Sequence, residues 1–199
     1  MALQHHLFFL LGETFREPKE AMRRIMAMDL PANVPWMILI IIVCLSVLMS
    51  KLAMAMVPAE EVVGPSPFPD SPLLLAIVMW LGIVIVVLCT HYIGRAFGGT
   101  GTFEDSLRAG IWFQTVMVAL QVAQLVVFII SPVFAVLLGY AVLCFGIWIM
   151  VNFIAAIHGF TSNGHVLLGL IVSVFGVAFG LSLLITLFSV LFGLDFRNV

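Results

Sequence analysis

Few side chains of this sequence can bind metals or transfer protons, and most of them lie between long apolar runs. The polar stretch His91–Gly110 (HYIGRAFGGTGTFEDSLRAG) contains two arginines and two carboxylates, and histidines occur at positions 5, 6, 91, 158 and 165. Imidazole is a common metal ligand and titrates near neutral pH, so these histidines could form a metal site or a proton relay. However, no acidic residue lies inside an apolar run, and neither HxxxH nor HxxE spacing occurs. We therefore interpret the histidines as interfacial residues at helix ends and predict no metal or cofactor.

The glycine-rich segment Gly98–Thr102 (GGTGT) could suggest a phosphate-binding loop. It lacks the Gly-Lys-Ser/Thr ending of a P-loop, and no strand precedes it. Thr102 is placed to cap a following helix, and Asp105 three residues later can complete a capping box. We predict a helix cap preceded by a tight glycine turn.

No catalytic constellation is present in the sequence. A serine–histidine–acid set, HExxH, GxSxG and paired carboxylates within an apolar run are all absent. An enzyme that works inside a bilayer normally needs ionisable groups at depth. We predict that the protein is not an enzyme and has no catalytic residues.

Two patterns on apolar segments remain. The first is a stripe of glutamines, Gln114, Gln121 and Gln124, which would either hydrogen-bond a neighbouring helix, with Asn152 as a candidate partner, or line a wet path. The second is a face of small residues that allows close approach of another helix, either within the protein or in a dimer. Its members are Gly169, Ser173, Gly176 and Gly180.

The composition indicates the kind of secondary structure on which these residues lie. The chain of 199 residues is 63% hydrophobic and 9% charged, whereas a soluble domain is about one quarter charged. With a net charge of −2 and no basic block, the sequence gives no indication of nucleic-acid binding. We predict an all-α polytopic membrane protein with five transmembrane helices. The spans are about Val34–Val57, Leu73–Ile93, Leu107–Ile130, Val133–Ile157 and Val166–Phe192.

The N-terminal segment differs from the spans because its apolar residues alternate with charges at helical spacing. Pro18 should start a second helix after a break. We predict an amphipathic cytoplasmic segment over residues 1–30 and a five-helix transmembrane domain over residues 31–199. This segment is either an interfacial helix on anionic headgroups or a lead-in packed on the rest of the protein.

The distribution of lysine and arginine predicts the orientation. A cytoplasmic N-terminus places six of the eight basic residues inside and leaves Lys51 and Arg197 outside, as the positive-inside rule requires. The C-terminus and the loop Pro58–Pro72 then lie outside. The predicted cytoplasmic interaction surface comprises Arg16, Lys19, Arg23, Arg24, Arg95, Arg108 and His158.

Three segments resemble bacterial Yip1-domain proteins. They are FREPKEAMRRI (Phe15–Ile25), IGRAFGGTGTFEDSLR (Ile93–Arg108) and AIHGFTSNGH (Ala156–His165). The resemblance implies a five-helix bundle with a cytoplasmic N-terminus, here in a bacterial inner membrane. Eukaryotic members are associated with membrane trafficking, small GTPase binding and membrane shaping. The resemblance provides no catalytic residues.

These observations favour a non-enzymatic membrane-organising or adapter protein that works through its cytoplasmic face. The alternative is a small permease or channel with a polar path along the third helix. A third hypothesis is an accessory subunit of a membrane complex. The expected partners are membrane lipid and either another membrane protein or a second copy of the chain.

Overall fold

The computed structural model describes residues 2–57 and 69–192, which form seven helices and no strand. Five of the helices are long and apolar enough to cross a membrane. The all-α, five-span prediction is therefore confirmed, and the protein is a multi-pass membrane protein. The helices are α1 (Ala2–Arg16), α2 (Pro18–Met26), α3 (Asn33–Met56), α4 (Pro72–Ala96), α5 (Phe103–Ile130), α6 (Pro132–His158) and α7 (Asn163–Phe192).

The helices extend beyond the predicted apolar runs where a cap, rather than hydropathy, determines the end. α5 begins at Phe103, four residues before the predicted span, because Thr102 caps it. α6 ends at His158, followed by Gly159 in the left-handed conformation (φ 72°). Most of the loop predicted to lie outside, and also Arg197, fall outside the described residues.

The chain divides into two compact units, Met1–Thr161 and Ser162–Val199. The first contains α1 to α6, and the second contains α7. The predicted division into residues 1–30 and 31–199 stays a prediction.

α5 is the central helix of the first unit, since it packs against α3, α4 and α6. One apolar cluster joins it to α3 and α4 through Leu39, Val87 and Ile111. A second cluster joins it to α6 and the N-terminal helices through Trp112, Phe153 and Met22. Because both clusters lie on α5, this helix positions every other element of the unit.

The N-terminal segment forms two helices, and Pro18 begins the second as predicted. Leu10, Met22 and Ile25 are buried in the cluster that contains Trp112. The Trp112 indole Nε1 donates to Thr14 Oγ1 at 3.0 Å, which links α5 to α1. The segment is thus packed on the transmembrane helices, as in the lead-in interpretation.

The described part of the second unit includes one long helix, α7, in which two hydroxyl side chains bond to the backbone of the same helix. Ser173 Oγ donates to the Gly169 carbonyl at 2.6 Å, and Thr186 Oγ1 donates to the Ser182 carbonyl at 2.8 Å. Hydroxyls satisfied in this way are compatible with a lipid environment. The packing role of Gly169, Ser173, Gly176 and Gly180 stays a prediction.

Candidate functional site

His158 is a buried polar residue of the first unit, at the end where α4 and α6 finish and α5 begins. We call this end the histidine end. The imidazole is only 2% exposed. The Gly101 N–H donates to Nδ1 at 3.2 Å, and Nε2 lies 3.0 Å from the Thr90 carbonyl oxygen. Because an amide N–H can only donate, Nδ1 must be unprotonated and Nε2–H must donate to Thr90. The neutral ring is therefore satisfied on both sides.

Three glycines make room for this ring, and we call them the His158 cradle: Gly94, Gly99 and Gly101. A methyl group added at Gly99 would lie 2.5 Å from Nδ1, and one at Gly101 would lie 2.8 Å from the Ile157 carbonyl oxygen. A methyl group at Gly94 would overlap the ring itself. The last turn of α4, the following loop and the end of α6 can therefore meet only because these positions lack Cβ atoms.

All five backbone amides of the loop Gly98–Thr102 donate hydrogen bonds to other groups of the protein. Thr102 Oγ1 accepts from the Asp105 amide at 3.1 Å, which confirms the predicted capping box. A phosphate site of the P-loop kind requires free amide donors. The five amides donate instead as follows: Gly98 to Arg95 O, Gly99 to Gly94 O, Thr100 to His158 O, Gly101 to His158 Nδ1 and Thr102 to Asp105 Oδ2. This arrangement disfavours nucleotide binding here.

Five of the seven predicted interaction residues lie on the outside of the unit. Arg16, Arg23, Arg24 and Arg95 are exposed, and Lys19 is half-buried. Arg23 pairs with Glu20 at 3.4 Å. Arg24 pairs with Glu13 at 3.1 Å, and its guanidinium lies 5.6 Å from the centre of the Phe9 ring.

Of the other two residues of that surface, His158 requires a correction, and the role of Arg108 stays a prediction. His158 is enclosed by the cradle, so its ring is not available to a partner. Arg108 is half-buried, and its Nη1 donates to the carbonyls of Met26 and Met28 at 2.7 and 3.1 Å. Both residues form hydrogen bonds within the protein because the free carbonyls and loop amides at helix ends provide partners for polar side chains.

The other described histidines do not join His158 in a ligand set. The His91 ring packs edge-on against Phe103, with ring centres 6.1 Å apart, and its buried Nδ1 has no hydrogen-bond partner among the described residues. His165 belongs to the second unit and is exposed. Within residues 2–57 and 69–192, no group of three or more histidine, cysteine or acidic side chains is placed to hold a metal ion.

The glutamine stripe connects helices at two of its three positions. Gln114 Nε2 donates to Ser46 Oγ of α3 at 2.8 Å, and Gln124 Nε2 donates to the Ala135 carbonyl of α6 at 3.2 Å. Gln121 Oε1 is buried without a hydrogen-bond partner in the described part of the chain. Asn152 donates to the Trp148 carbonyl of its own helix at 2.7 Å.

Sequence reasoning missed Thr90 and the cradle, although a signal was present. Three glycines at positions 94, 99 and 101 are more than one tight turn requires. Glycines clustered at a helix end can also indicate close approach of another element. The sequence does not show that the approaching group is a histidine 57 residues beyond Gly101.

Comparison with known proteins agrees with the resemblance of the three motifs. The sequence matches the Yip1 domain over residues 12–193, nearly the whole chain. No match to a curated protein or to a solved structure was found. Two of the motifs and the first residues of the third meet around the histidine end, where Arg108 contacts α2 and His158 contacts the glycine loop. The chain therefore belongs to the Yip1-domain family.

Proposed function

We propose that this membrane protein acts without catalysis, as an adapter or membrane organiser, through the outer surface of the histidine end. One observation supports this most strongly: the α1–α2 pair is fixed to α5 and α6 by buried contacts, while its basic side chains point outward. A surface that is already ordered loses less conformational entropy when a partner binds. Such a rigid charged surface suits recognition.

The basic residues of this surface are not equivalent. Arg23 and Arg24 are already paired with Glu20 and Glu13. In the part of the chain that the structure describes, Arg16, Lys19 and Arg95 take part in no ion pair. These three side chains are free to meet phosphate or carboxylate groups, and each is worth about 1 kcal/mol near an anionic surface.

We place the histidine end in the cytoplasm of a bacterial cell, with the chain in the inner membrane and its C-terminus outside. The division of the basic residues supports this orientation. Lys51 belongs to the opposite end, where its Nζ donates to the carbonyls of Pro69 and Asp70 at 3.4 and 3.0 Å.

The test is capture of partners after gentle solubilisation, with a tag on the N-terminus and identification by mass spectrometry. We expect a stoichiometric membrane-protein partner. The triple variant Arg16→Gln, Lys19→Gln, Arg95→Gln should reduce its recovery at low salt ten-fold or more. The matched control exchanges arginine and lysine at the same positions and should retain the partner, because it preserves charge. The proposal would be overturned if the protein were recovered alone, or if the triple variant recovered as much partner as the unaltered chain.

One observation favours the permease as a second candidate. Gln121 Oε1 is a buried acceptor without a partner among the described residues, and such an atom in a membrane-spanning helix suits a hydrated path or a polar solute. Flux of small solutes into liposomes that is lost in Gln121→Leu but kept in Gln114→Leu would support this function. Absence of flux for the unaltered chain would reject it.

A further inference from the structure

The α1 helix presents three different faces. At about 100° per residue, Leu10 and Thr14 share one face, which is buried against the transmembrane helices. Glu13 and Arg16 lie on a second, polar face. Four apolar residues lie within about 100° of one another on the third face, which we call the apolar stripe: Leu7, Phe8, Leu11 and Phe15.

The apolar stripe is partly uncovered, and only Leu11 is half-buried against the core. Leu7 is 42% exposed, Phe8 is 75% exposed and Phe15 is 42% exposed. A contiguous exposed apolar surface next to a polar face is typical of helices that lie in a membrane interface.

A series of stacked aromatic rings joins this stripe to the surface of α6. The Phe15 ring stacks on Phe145 with 5.0 Å between centres, and Phe145 stacks on Trp148 at 5.4 Å. Trp148 is 41% exposed on a helix long and apolar enough to span the membrane. The stripe is therefore continuous with a surface of the spanning helices that faces lipid.

The position along α6 indicates the depth. α6 follows Ser131, and Phe145 lies about 20 Å along it at 1.5 Å per residue. If Ser131 lies at the far boundary of a hydrocarbon layer about 30 Å thick, Phe145 lies about 10 Å inside the near boundary. Trp148 then lies about 5 Å inside, close to the aromatic belt. On this placement, the Phe15 ring, stacked on Phe145, would lie at the depth of the acyl chains.

Electrostatic attraction contributes little to this placement. The α1–α2 pair carries four basic residues, Arg16, Lys19, Arg23 and Arg24, against three acidic ones, Glu13, Glu17 and Glu20. Two ion pairs within the α1–α2 pair neutralise part of this charge. Because the net charge of the pair is only +1, apolar contact is the main attraction between α1 and a bilayer of neutral lipid.

We propose that the apolar stripe of α1 is inserted among the acyl chains of the adjacent phospholipid leaflet, and that this insertion does not depend on lipid charge. The polar face of α1 then lies at the headgroups. This inference does not require the adapter function, because it concerns only the lipid that covers α1.

The test measures the depth of a fluorescent probe in vesicles of neutral phosphatidylcholine. The three free cysteines, Cys44, Cys89 and Cys144, are replaced by alanine, and a nitrobenzoxadiazole label is attached to Phe8→Cys. We expect an acyl-chain nitroxide lipid to quench this probe at least two-fold more than a headgroup nitroxide lipid. The matched control is Ala27→Cys, an exposed position just after α2, where the headgroup quencher should be the stronger.

Stronger quenching by the headgroup nitroxide at Phe8, or dependence of the Phe8 result on added anionic lipid, would overturn the inference. A second measurement uses the unaltered chain and phosphatidylcholine with a photoactivatable acyl chain. Cross-links should map to residues 7–15 by mass spectrometry, and their absence from that segment would also overturn it. A failed partner capture would leave both results intact, so the two proposals fail separately.

Discussion

Buried polar side chains are hydrogen-bonded more completely at the histidine end than in the glutamine stripe. At the histidine end both nitrogens of one imidazole are bonded to backbone groups, and three glycines enclose the ring. In the stripe each glutamine lies on α5, and two of the three make one connection to a neighbouring helix. The third leaves its buried oxygen without a partner among the described residues.

This difference separates two roles of polar groups in a membrane protein. A buried polar group with all its hydrogen bonds formed lowers the free energy of one arrangement of the helices relative to all others. A single amide contact adds on average only about 0.6 kcal/mol in membrane proteins, because the alternatives also find partners. We therefore expect the structure of the first unit to depend strongly on His158 and only weakly on the glutamines.

The largest effect should come from His158→Ala. Removal of the ring leaves a cavity, and the Gly101 amide and the Thr90 carbonyl lose their hydrogen-bond partner. We expect the free energy of unfolding to fall by about 3 kcal/mol, measured by denaturant titration in micelles. The exposed His165→Ala is the matched control and should change it by less than about 0.5 kcal/mol. Equal effects of the two variants would show that the free energy of unfolding does not depend specifically on His158.

A smaller loss is expected for Gly94→Ala, because the added methyl group would overlap the His158 ring. We expect the free energy of unfolding to fall by about 2 kcal/mol in the same titration, despite the better helix propensity of alanine. Gly82→Ala on the same helix is the control, since a methyl group there meets no described atom within 4 Å. That variant should be neutral or slightly more stable.

The two positions can also be combined in a double-mutant cycle. In the His158→Ala background, Gly94→Ala should lower the free energy of unfolding much less than it does in the unaltered chain, because the space left by the ring accommodates the methyl group. Additive losses in the double variant would mean that the glycine does not act through the histidine.

The smallest effects belong to the stripe. Gln114→Leu and Gln124→Leu should each lower the free energy of unfolding by up to about 1 kcal/mol, since each removes one interhelical hydrogen bond. Gln121→Leu should be neutral or stabilising, because it removes a buried acceptor that lacks a partner among the described residues. A larger loss for Gln121→Leu than for the other two would contradict this ranking, and denaturant titration would detect it.

Several features of the fold follow from local sequence patterns. Runs of about 20 apolar residues predict helices, because backbone groups in lipid must bond within their own segment. The cap at Thr102 and the helix start at Pro18 depend on residues a few positions away in the sequence, so they were predicted at the correct residues. The predicted surface was wrong at His158, since hydropathy indicates a boundary but not which side chain turns inward.

The class of the molecule, the number of spans, the cap at Thr102 and the family could be predicted from the amino-acid sequence. These properties depend on composition and on contacts between residues a few positions apart. Three other contacts become apparent only when the helices are packed: the Gly101 amide donates to the His158 ring, Trp112 donates to Thr14, and Phe15 stacks on Phe145. These pairs are 57 to 130 residues apart in the chain, and which of the many compatible partners meet depends on how whole helices pack.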